Sequence, residues 1–258
     1  MAQTPMPFSP APVATVVTVG GHPLQVGQAL QLLERAGQGG AMAQLDPGSP
    51  AWLQALLDGL CTLSSRDPLT GLFNRRQFEA SLDSEIDRVA RTGESALLLL
   101  LDIDHFKRVN DTYGHAAGDL VIRRIGQALQ DCVRPMDTVA RLGGEEFGAV
   151  LPNCPASFGQ NVADRVRHAI ESTVVVAAPG QHITVTVSVG GAFAPQWVRS
   201  SSHLWMERAD QQLYRAKAAG RNRTRLESPP RSNVGHAERD MLFTAVSAFM
   251  PDPLDSTS

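Results

Sequence analysis

Apolar positions along the chain predict four strands. The run Ala96–Asp102 is apolar up to its last residue, so it is predicted to be a central strand buried on both faces. In Ile183–Val189, apolar residues alternate with Thr and Ser, as in a strand with one buried face. Two glycines separate Val139–Leu142 from Phe147–Leu151, which indicates a tight hairpin and therefore an antiparallel pair.

Most of the remaining chain has the apolar spacing of helices. The predicted helices are Leu24–Ala36, one that begins at Ser49–Pro50, Arg75–Arg91, Phe106–Asp111, Gly118–Val133, Ser157–Glu171 and Ser202–Ala219. Short strands are predicted at Val13–Val19 and Thr224–Leu226. Because helices alternate with strands of which one pair is antiparallel, we expect an α+β fold with a mixed, mostly antiparallel sheet flanked by helices.

These elements divide the chain into four parts. The N-terminal extension, 1–48, has no assignable role, and its first twelve residues have the composition of a disordered segment. A helix at 49–66 leads into the main domain at 67–226. A tail at 227–258 includes a short apolar helix candidate, Met241–Met250, which would dock on the domain or on a second subunit.

The helix at 49–66 carries a stripe of leucines. Their spacings of three, four and three residues place them on one face, and Leu57 widens it: Leu53, Leu56, Leu60 and Leu63. Two interpretations remain open. The stripe forms a short parallel coiled coil between two chains, or it packs against the protein's own domain.

Composition narrows the class of protein. The 258 residues are 43% hydrophobic and 19% charged with a net charge of −3, which is ordinary for a globular domain and argues against binding nucleic-acid polymers. No apolar run is long enough to cross a bilayer, and no signal peptide is recognisable. Cys61, Cys132 and Cys154 lack CxxC spacing and favour a reducing compartment. We therefore expect a cytoplasmic protein without membrane insertion.

Carboxylates occur where two of the predicted strands end. Glu145 and Glu146 lie at the glycine hairpin, and Asp102 and Asp104 lie on one face at the end of the central strand. Adjacent carboxylates repel each other, and a divalent metal such as Mg²⁺ offsets that repulsion. If the hairpin and the strand are neighbours, Asp102 meets Glu145 in a metal site. The alternative is a solvated turn beside an ordinary strand end.

Residues after the central strand have the chemistry of a nucleotide site. The predicted short helix exposes N–H groups that bind phosphate, and Lys107 adds positive charge. Asn110 and Asp119 can read a base edge, and a carboxylate matches the N1–H and N2–H₂ donors of guanine, which predicts GTP over ATP. Asp119 would equally serve as a helix N-cap. Lys217 and Arg221, one helical turn apart, would hold a triphosphate or stabilise a helix C-terminus.

Taken together, these residues resemble the GGDEF-domain diguanylate cyclases over about residues 63–226. The matching stretches are DPLTGLFNRR from Asp67, DIDHFKRVND from Asp102, Gly114–His115, Gly118–Asp119, GGEEF from Gly143 and ADQQLYRAKAAGRNR from Ala209. The family's fold resembles the palm of nucleotide polymerases and class III adenylyl cyclases. The resemblance implies condensation of two GTP into cyclic di-GMP and pyrophosphate, with one GTP held by each subunit of a homodimer.

The resemblance also implies roles for single residues. Mg²⁺ (or Mn²⁺) is held by Asp102, the Ile103 carbonyl and Glu145, with Glu146 near the metal or acting on the 3′-OH. Substrate contacts are assigned to Phe106 and Lys107 in the phosphate-binding turn, Asn110 and Asp119 at guanine, His115 near the nucleotide, and Lys217 and Arg221 at the phosphates. Side chains in place of Gly143 and Gly144 would occupy space that the nucleotide needs.

Arg134 and Asp137 form an RxxD pattern before the hairpin. This resembles the family's inhibitory site for its product, and an arginine fork and a carboxylate suit phosphate and guanine, respectively. By the same resemblance, Arg165 on the following helix completes the site. An alternative function follows from these residues: a non-catalytic cyclic di-GMP receptor that does not turn over GTP.

Overall fold

The computed structural model describes residues 16–19, 21–37, 40, 42–195 and 200–228. The chain divides into two compact units, Met1–Glu227 and Ser228–Ser258, and all elements below belong to the first. The helix candidate Met241–Met250 and the first twelve residues lie outside the described residues. None of the described helices is both long and apolar enough to span a bilayer.

The elements follow one another as a short N-terminal part and then the main domain. In chain order they are β1 (Val16–Val19), β2 (His22–Gln25), α1 (Gly27–Arg35), α2 (Pro50–Ser65), α3 (Arg75–Thr92), β3 (Ala96–Ile103), α4 (Phe106–Tyr113), α5 (His115–Asp131), β4 (Thr138–Gly143), β5 (Glu146–Pro152), α6 (Ala156–Glu171), β6 (Val175–Ala178), β7 (Gln181–Ile183), β8 (Val187–Phe193), α7 (Ser202–Ala218) and β9 (Thr224–Leu226).

A five-stranded sheet with the order β4-β5-β3-β8-β9 organises the main domain. Strand β3 pairs antiparallel with both β5 and β8, and β4 pairs antiparallel with β5. Strand β9 joins the other edge in parallel with β8. The predicted α+β fold with a mixed, mostly antiparallel sheet flanked by helices is confirmed.

Strand β3 is the middle of the core. Every residue from Ala96 to Ile103 is buried, which confirms the predicted burial on both faces. Leu97, Leu99 and Leu101 belong to the apolar cluster that includes residues of α5 and α6, whereas Leu98 and Leu100 belong to the cluster with α3 and α7. Each buried leucine contributes roughly 2 kcal/mol of transfer free energy. The strand end is therefore held firmly between two layers of helices.

Helix α7 lies directly on strand β8 because Gly190 has no side chain. A Cβ there would lie 2.1 Å from the Leu213 nitrogen and 2.5 Å from the Ala209 carbonyl oxygen, and neither backbone atom could yield. This close approach brings the C-terminal turn of α7, with Lys217, over the end of β3.

The leucine stripe of α2 packs within its own chain. Trp52 and Leu56 are buried in a cluster with Leu30 and Leu33 of α1, and a Cβ on Gly59 would lie 2.7 Å from the Leu33 side chain. Leu56 therefore packs against the N-terminal extension rather than against the main domain, and the coiled coil between two chains stays a prediction. Leu57, at 55% exposure, stays on the surface.

The predicted helix Leu24–Ala36 is wrong at its start. Leu24 pairs with Val17 in a β1–β2 hairpin, which turns at Gly21 with a φ of 84°, and α1 begins at Gly27. Proline at position 23 and the preceding glycines favour a turn there, whereas the apolar spacing of a few residues does not distinguish a helix from a strand.

The predicted strand Ile183–Val189 is also wrong in its bounds. Ile183 ends β7, which pairs with β6 in a hairpin that the sequence reasoning missed, and Val187 begins β8. The residues between leave the ladder: the Asp104 N–H donates to the Thr186 carbonyl at 2.9 Å, beyond the end of β3. The alternation of apolar and polar residues in Ile183–Val189 therefore runs across the end of β7 and the start of β8, which are separate strands.

Candidate nucleotide and metal site

The glycine hairpin lies beside the end of the central strand, as the sequence predicts. Asp102 of β3 is directly opposite Glu146 of β5, and the Ile103 N–H donates to the Glu145 carbonyl at 3.2 Å. Asp102 is 8% exposed, so its carboxylate lies at the floor of the site. Glu145 and Glu146 stand at the turn above it.

The carboxylates at this point repel one another. The pKa of Glu145 is raised by partial burial and then by the charges of Asp102 and Glu146, while Lys217 opposes the shift. The Lys217 ammonium forms an ion pair with the Asp102 carboxylate, Nζ to Oδ2 at 2.7 Å. Excess negative charge remains after that pairing, which is the electrostatic condition that favours a divalent cation.

The donor set fits a hard metal ion. Asp102 and Glu145 supply two carboxylates, and the Ile103 backbone adjoins both, since it follows Asp102 and hydrogen-bonds to the Glu145 carbonyl. Among the described residues no group of three His, Cys, Asp or Glu side chains is close enough to hold an ion by itself. Mg²⁺ is commonly bound by one or two carboxylates together with waters and substrate phosphates, so two carboxylates are sufficient.

An arginine beneath the turn fixes the shape of the hairpin. Arg141 donates to the Gly144 carbonyl from Nε at 3.1 Å and from Nη2 at 2.8 Å, and its Nη1 donates to both oxygens of Asp67 at 3.3 and 3.2 Å. Asp67 also accepts from the Thr70 N–H and hydroxyl at 2.9 and 2.7 Å. Sequence reasoning quoted the DPLTG stretch but missed this support; a lone aspartate before a proline gives no sign of its partner.

The space above the glycines is open. Gly144 has a φ of 50° and Gly143 one of 151°, both in the region that favours glycine, and a Cβ on either would meet nothing within 4 Å. Turn geometry therefore requires these glycines, and the open space beside Glu145 can receive a ligand.

The two predicted base-reading residues come together at the start of α5. The Asn110 Oδ1 lies 2.0 Å from where a Gly118 Cβ would be, so the glycine makes room for this amide. Asp119 follows Gly118 and is exposed. The helix begins at His115 rather than Gly118, so the N-cap alternative for Asp119 is wrong. Gly118 is a residue whose role sequence reasoning did not explain.

The other predicted substrate residues lie at helix ends. Phe106 is buried at the first turn of α4, Lys107 is exposed on the same turn, and His115 is exposed at the first turn of α5. Arg221 is exposed after the C-terminus of α7, four positions beyond Lys217. These residues rise from the loops and helix ends around the end of β3.

Asp104 does not join the metal carboxylates. Its oxygens accept hydrogen bonds from the Thr186 and Ser188 hydroxyls, both at 2.7 Å, and from the Asn222 N–H at 3.0 Å. The two aspartates at the end of the strand thus have different tasks. Asp102 forms an ion pair with Lys217 in the candidate site, and Asp104 fastens β3 to β8 and to the segment after α7.

The Arg134–Asp137 turn, directly before β4, forms a second candidate site. Asp137 Oδ2 accepts from the Arg134 N–H at 2.7 Å, and the Asp137 N–H donates back to the Arg134 carbonyl at 3.0 Å. Burial raises the pKa of Asp137, opposed by the hydrogen bond from Arg134 and the charges of Arg134 and Arg165. Arg165 reaches the turn from α6 and donates to the Cys132 carbonyl at 2.8 Å. The structure brings all three predicted residues together.

Comparison with known proteins gives one consistent result. A sequence profile described as diguanylate cyclase, GGDEF domain, matches residues 64–223. A probable diguanylate cyclase of Escherichia coli, DgcC, is 39% identical over 168 residues, which are 65% of this chain and 44% of that protein. The chain therefore spans less than half the length of the curated relatives it matches.

Two solved structures of DgcB from Caulobacter crescentus are similar to this fold. Its GGDEF domain in complex with c-di-GMP is 37% identical, with a TM-score of 0.61 over 64% of this chain and 94% of that one. The structure of its coiled coil and GGDEF domain, also in complex with c-di-GMP, is 32% identical, with a TM-score of 0.64 over 76% of this chain and 100% of that one.

Proposed function

Because this chain belongs to the GGDEF-domain diguanylate cyclase family, we propose that it condenses two GTP into cyclic di-GMP and pyrophosphate. In each half-reaction the 3′-OH of one GTP attacks the α-phosphate of the other, so a new O–P bond forms and the bond to pyrophosphate breaks. Each protomer of a homodimer holds one GTP. The observation that carries the proposal is the repelling pair Asp102 and Glu145 beside an open glycine turn.

The metal-binding part of the proposal uses the floor of the site. Asp102, Glu145 and the Ile103 carbonyl would hold Mg²⁺ or Mn²⁺, and Glu146 stands close enough in the turn to assist or to orient the 3′-OH. When bound, the cation supplies charge that stabilises the transition state of phosphoryl transfer. Asp102 is preorganised for this task because it is buried and fixed at a strand end.

The remaining residues position the nucleotide. Lys217 and Arg221 contribute positive charge for the triphosphate, and the first turn of α4, with Phe106 and Lys107, offers backbone N–H groups. Asn110 and Asp119 read guanine, and His115 lies at the edge of that pocket. Adenine would leave the Asp119 carboxylate without its paired donors, which predicts strong discrimination of the order of 10⁴.

Incubation of the purified chain with GTP and Mg²⁺ tests the function. We expect cyclic di-GMP and pyrophosphate in a 1:2 ratio, with little product from ATP. The variant Asp119→Ala should lose preference for GTP, while Glu34→Gln, a change at an exposed residue of α1, serves as the control. Absence of turnover over a wide range of protein concentration would contradict the proposed diguanylate cyclase activity.

We also propose product inhibition at Arg134, Asp137 and Arg165. The prebuilt turn and two converging arginines support it, and both DgcB structures were obtained with c-di-GMP. Tight binding of cyclic di-GMP by the chain without any turnover would instead favour the receptor function.

The organisation of the chain completes the proposal. Residues 67–226 form the catalytic domain, 49–66 connect it to the extension 1–48, and 227–258 form a tail. The protein acts in the cytoplasm, in keeping with the three free cysteines among the described residues, Cys61, Cys132 and Cys154.

A further inference from the structure

The segment after α7 has an unusual backbone. Gly220, Arg221 and Asn222 have successive φ values of 112°, 62° and 44°, so three residues in a row are left-handed. For a residue with a side chain, such as Arg221, this backbone conformation is strained, and it persists where the surroundings impose it. Arg221 is exposed, and among the described residues its guanidinium has no hydrogen-bonding or ion-pair partner. The cost is therefore not recovered by any contact of that side chain within its own chain.

Asn222 is the residue that the surroundings hold. Its N–H donates to Asp104 Oδ2 at 3.0 Å, its Oδ1 accepts from Arg167 Nη1 at 2.9 Å, and its Nδ2 donates to Glu171 Oε1 at 2.7 Å. The bond from Asn222 is also the leading cause that lowers the pKa of Glu171. Asparagine tolerates the left-handed region better than most residues, so it suits this position.

The partners of Asn222 are themselves fixed. Asp104 is 5% exposed and is held by the Thr186 and Ser188 hydroxyls. Arg167 and Glu171 form an ion pair at 2.8 Å on the last turn of α6, and the Arg167 side chain is 12% exposed. Asn222 thus joins the end of the central strand to helix α6, and this holds the backbone of its neighbour Arg221 in place.

We propose that Asn222 is a positioning residue for Arg221. By holding the left-handed turn, it presents the Arg221 guanidinium to the triphosphate before the nucleotide arrives, which lowers the entropy lost on binding. Asp104 helps to position Arg221 indirectly, by accepting the hydrogen bond from the Asn222 N–H. Its role therefore differs from that of Asp102, two positions earlier in the chain. The inference rests on the proposed function, because it needs a phosphate ligand at Arg221.

The variant Asn222→Gly tests this directly. Glycine adopts the left-handed backbone without strain and keeps the N–H that bonds to Asp104, but it removes both side-chain hydrogen bonds. We expect KM for GTP to rise about tenfold, with kcat changed less than about threefold, because each lost bond to a charged partner weakens preorganisation of the ground-state complex. Arg225→Ala, at an exposed residue of β9, should leave KM unchanged.

A double-mutant cycle with Arg221→Ala separates positioning from a general loss of structure. If Asn222 acts through Arg221, Asn222→Gly should add little to the KM of Arg221→Ala. Additive effects, or a KM for Asn222→Gly equal to that of the wild type, would overturn the inference. A methylene-bridged GTP analogue in calorimetry gives the same comparison without turnover. Failure of the wild-type chain to bind this analogue and to consume GTP would remove the proposed function as well.

Discussion

The two ends of strand β4 carry two carboxylate-containing turns that are built in opposite ways. At the Gly143–Glu146 turn, the Arg141 guanidinium donates hydrogen bonds to the Gly144 carbonyl and to Asp67. Glu145 and Glu146 therefore remain available to a cation. At the Arg134–Asp137 turn, a backbone N–H satisfies the carboxylate and the Arg134 side chain is exposed. One turn thus offers unpaired negative charge, and the other offers an arginine.

The difference shows how the same residue types serve different ligands. Glu145 lies beside other carboxylates, which favours a cation, whereas Asp137 is held by the backbone of its own turn and leaves an arginine for phosphate. Which group a turn makes available depends on whether its backbone or a side chain stabilises it.

The largest effect is expected at Glu145. Glu145→Gln removes one of the two carboxylates proposed for the metal, and we expect turnover to fall about 10³-fold. Steady-state release of pyrophosphate measures this, with Glu34→Gln as the matched control on α1. Turnover within a few-fold of wild type would show that the carboxylate of Glu145 at the Gly143–Glu146 turn is not needed for the reaction.

The support of the catalytic turn is the next test. Arg141→Lys keeps the charge but cannot bond to both Gly144 and Asp67 through a planar fork, so the hairpin should shift. We expect turnover to fall about 10- to 100-fold, since small misplacement of reacting groups is costly. The same exchange at Arg75, an exposed residue that pairs with Glu79, should have little effect.

A change at the Arg134–Asp137 turn should alter the affinity for cyclic di-GMP rather than the rate of the chemical step. Arg134→Ala removes the guanidinium, and we expect the Kd for cyclic di-GMP to rise at least about tenfold because charge-assisted bonds are lost. Progress curves with GTP should then stay linear for longer. Calorimetry with cyclic di-GMP measures the change directly, and an unaltered Kd would place the product elsewhere.

The smallest effect concerns stability and pH. The pKa of Glu145 is raised in the folded chain, so its charged form opposes folding at neutral pH and protonation removes that penalty. In a chelator, Glu145→Gln should therefore raise Tm at pH 7 by roughly 1–3 °C, a small change because solvent screens the site. The gain should disappear as the pH falls through the titration of Glu145. A Tm that is lower for the variant at pH 7 would contradict this sign.

The sequence predicts the end of β3 and the glycine hairpin better than it predicts the N-terminal part, for a physical reason. The buried run Ala96–Asp102 and the glycine pair each have one structural solution, and the pairing of Asp102 opposite Glu146 follows once the two strands are neighbours. Contacts between distant residues, such as Arg141 with Asp67, leave no periodic trace. Neither does the approach of α7 to Gly190, which depends on tertiary packing.

Short elements account for the remaining differences between the elements predicted from the sequence and those in the structure. The hairpins β1–β2 and β6–β7 consist of strands of three or four residues, too short to show a period of two. Leu24 and Ile183 fit the pattern of the neighbouring longer element, and the sequence alone assigns them to it. Burial of Leu56 by α1 likewise depends on where the extension folds back, which the leucine spacing leaves undetermined.

The ion pair between Lys217 and Asp102 makes the two ligands of the site interdependent. In the free chain these groups neutralise each other at 2.7 Å. Any cation that takes Asp102 releases the ammonium to an anion, and any anion that takes Lys217 releases the carboxylate to a cation. Thermodynamic reciprocity then requires each ligand to raise the affinity for the other by the same factor. The chain thereby favours joint occupation of the site over occupation by either ligand alone.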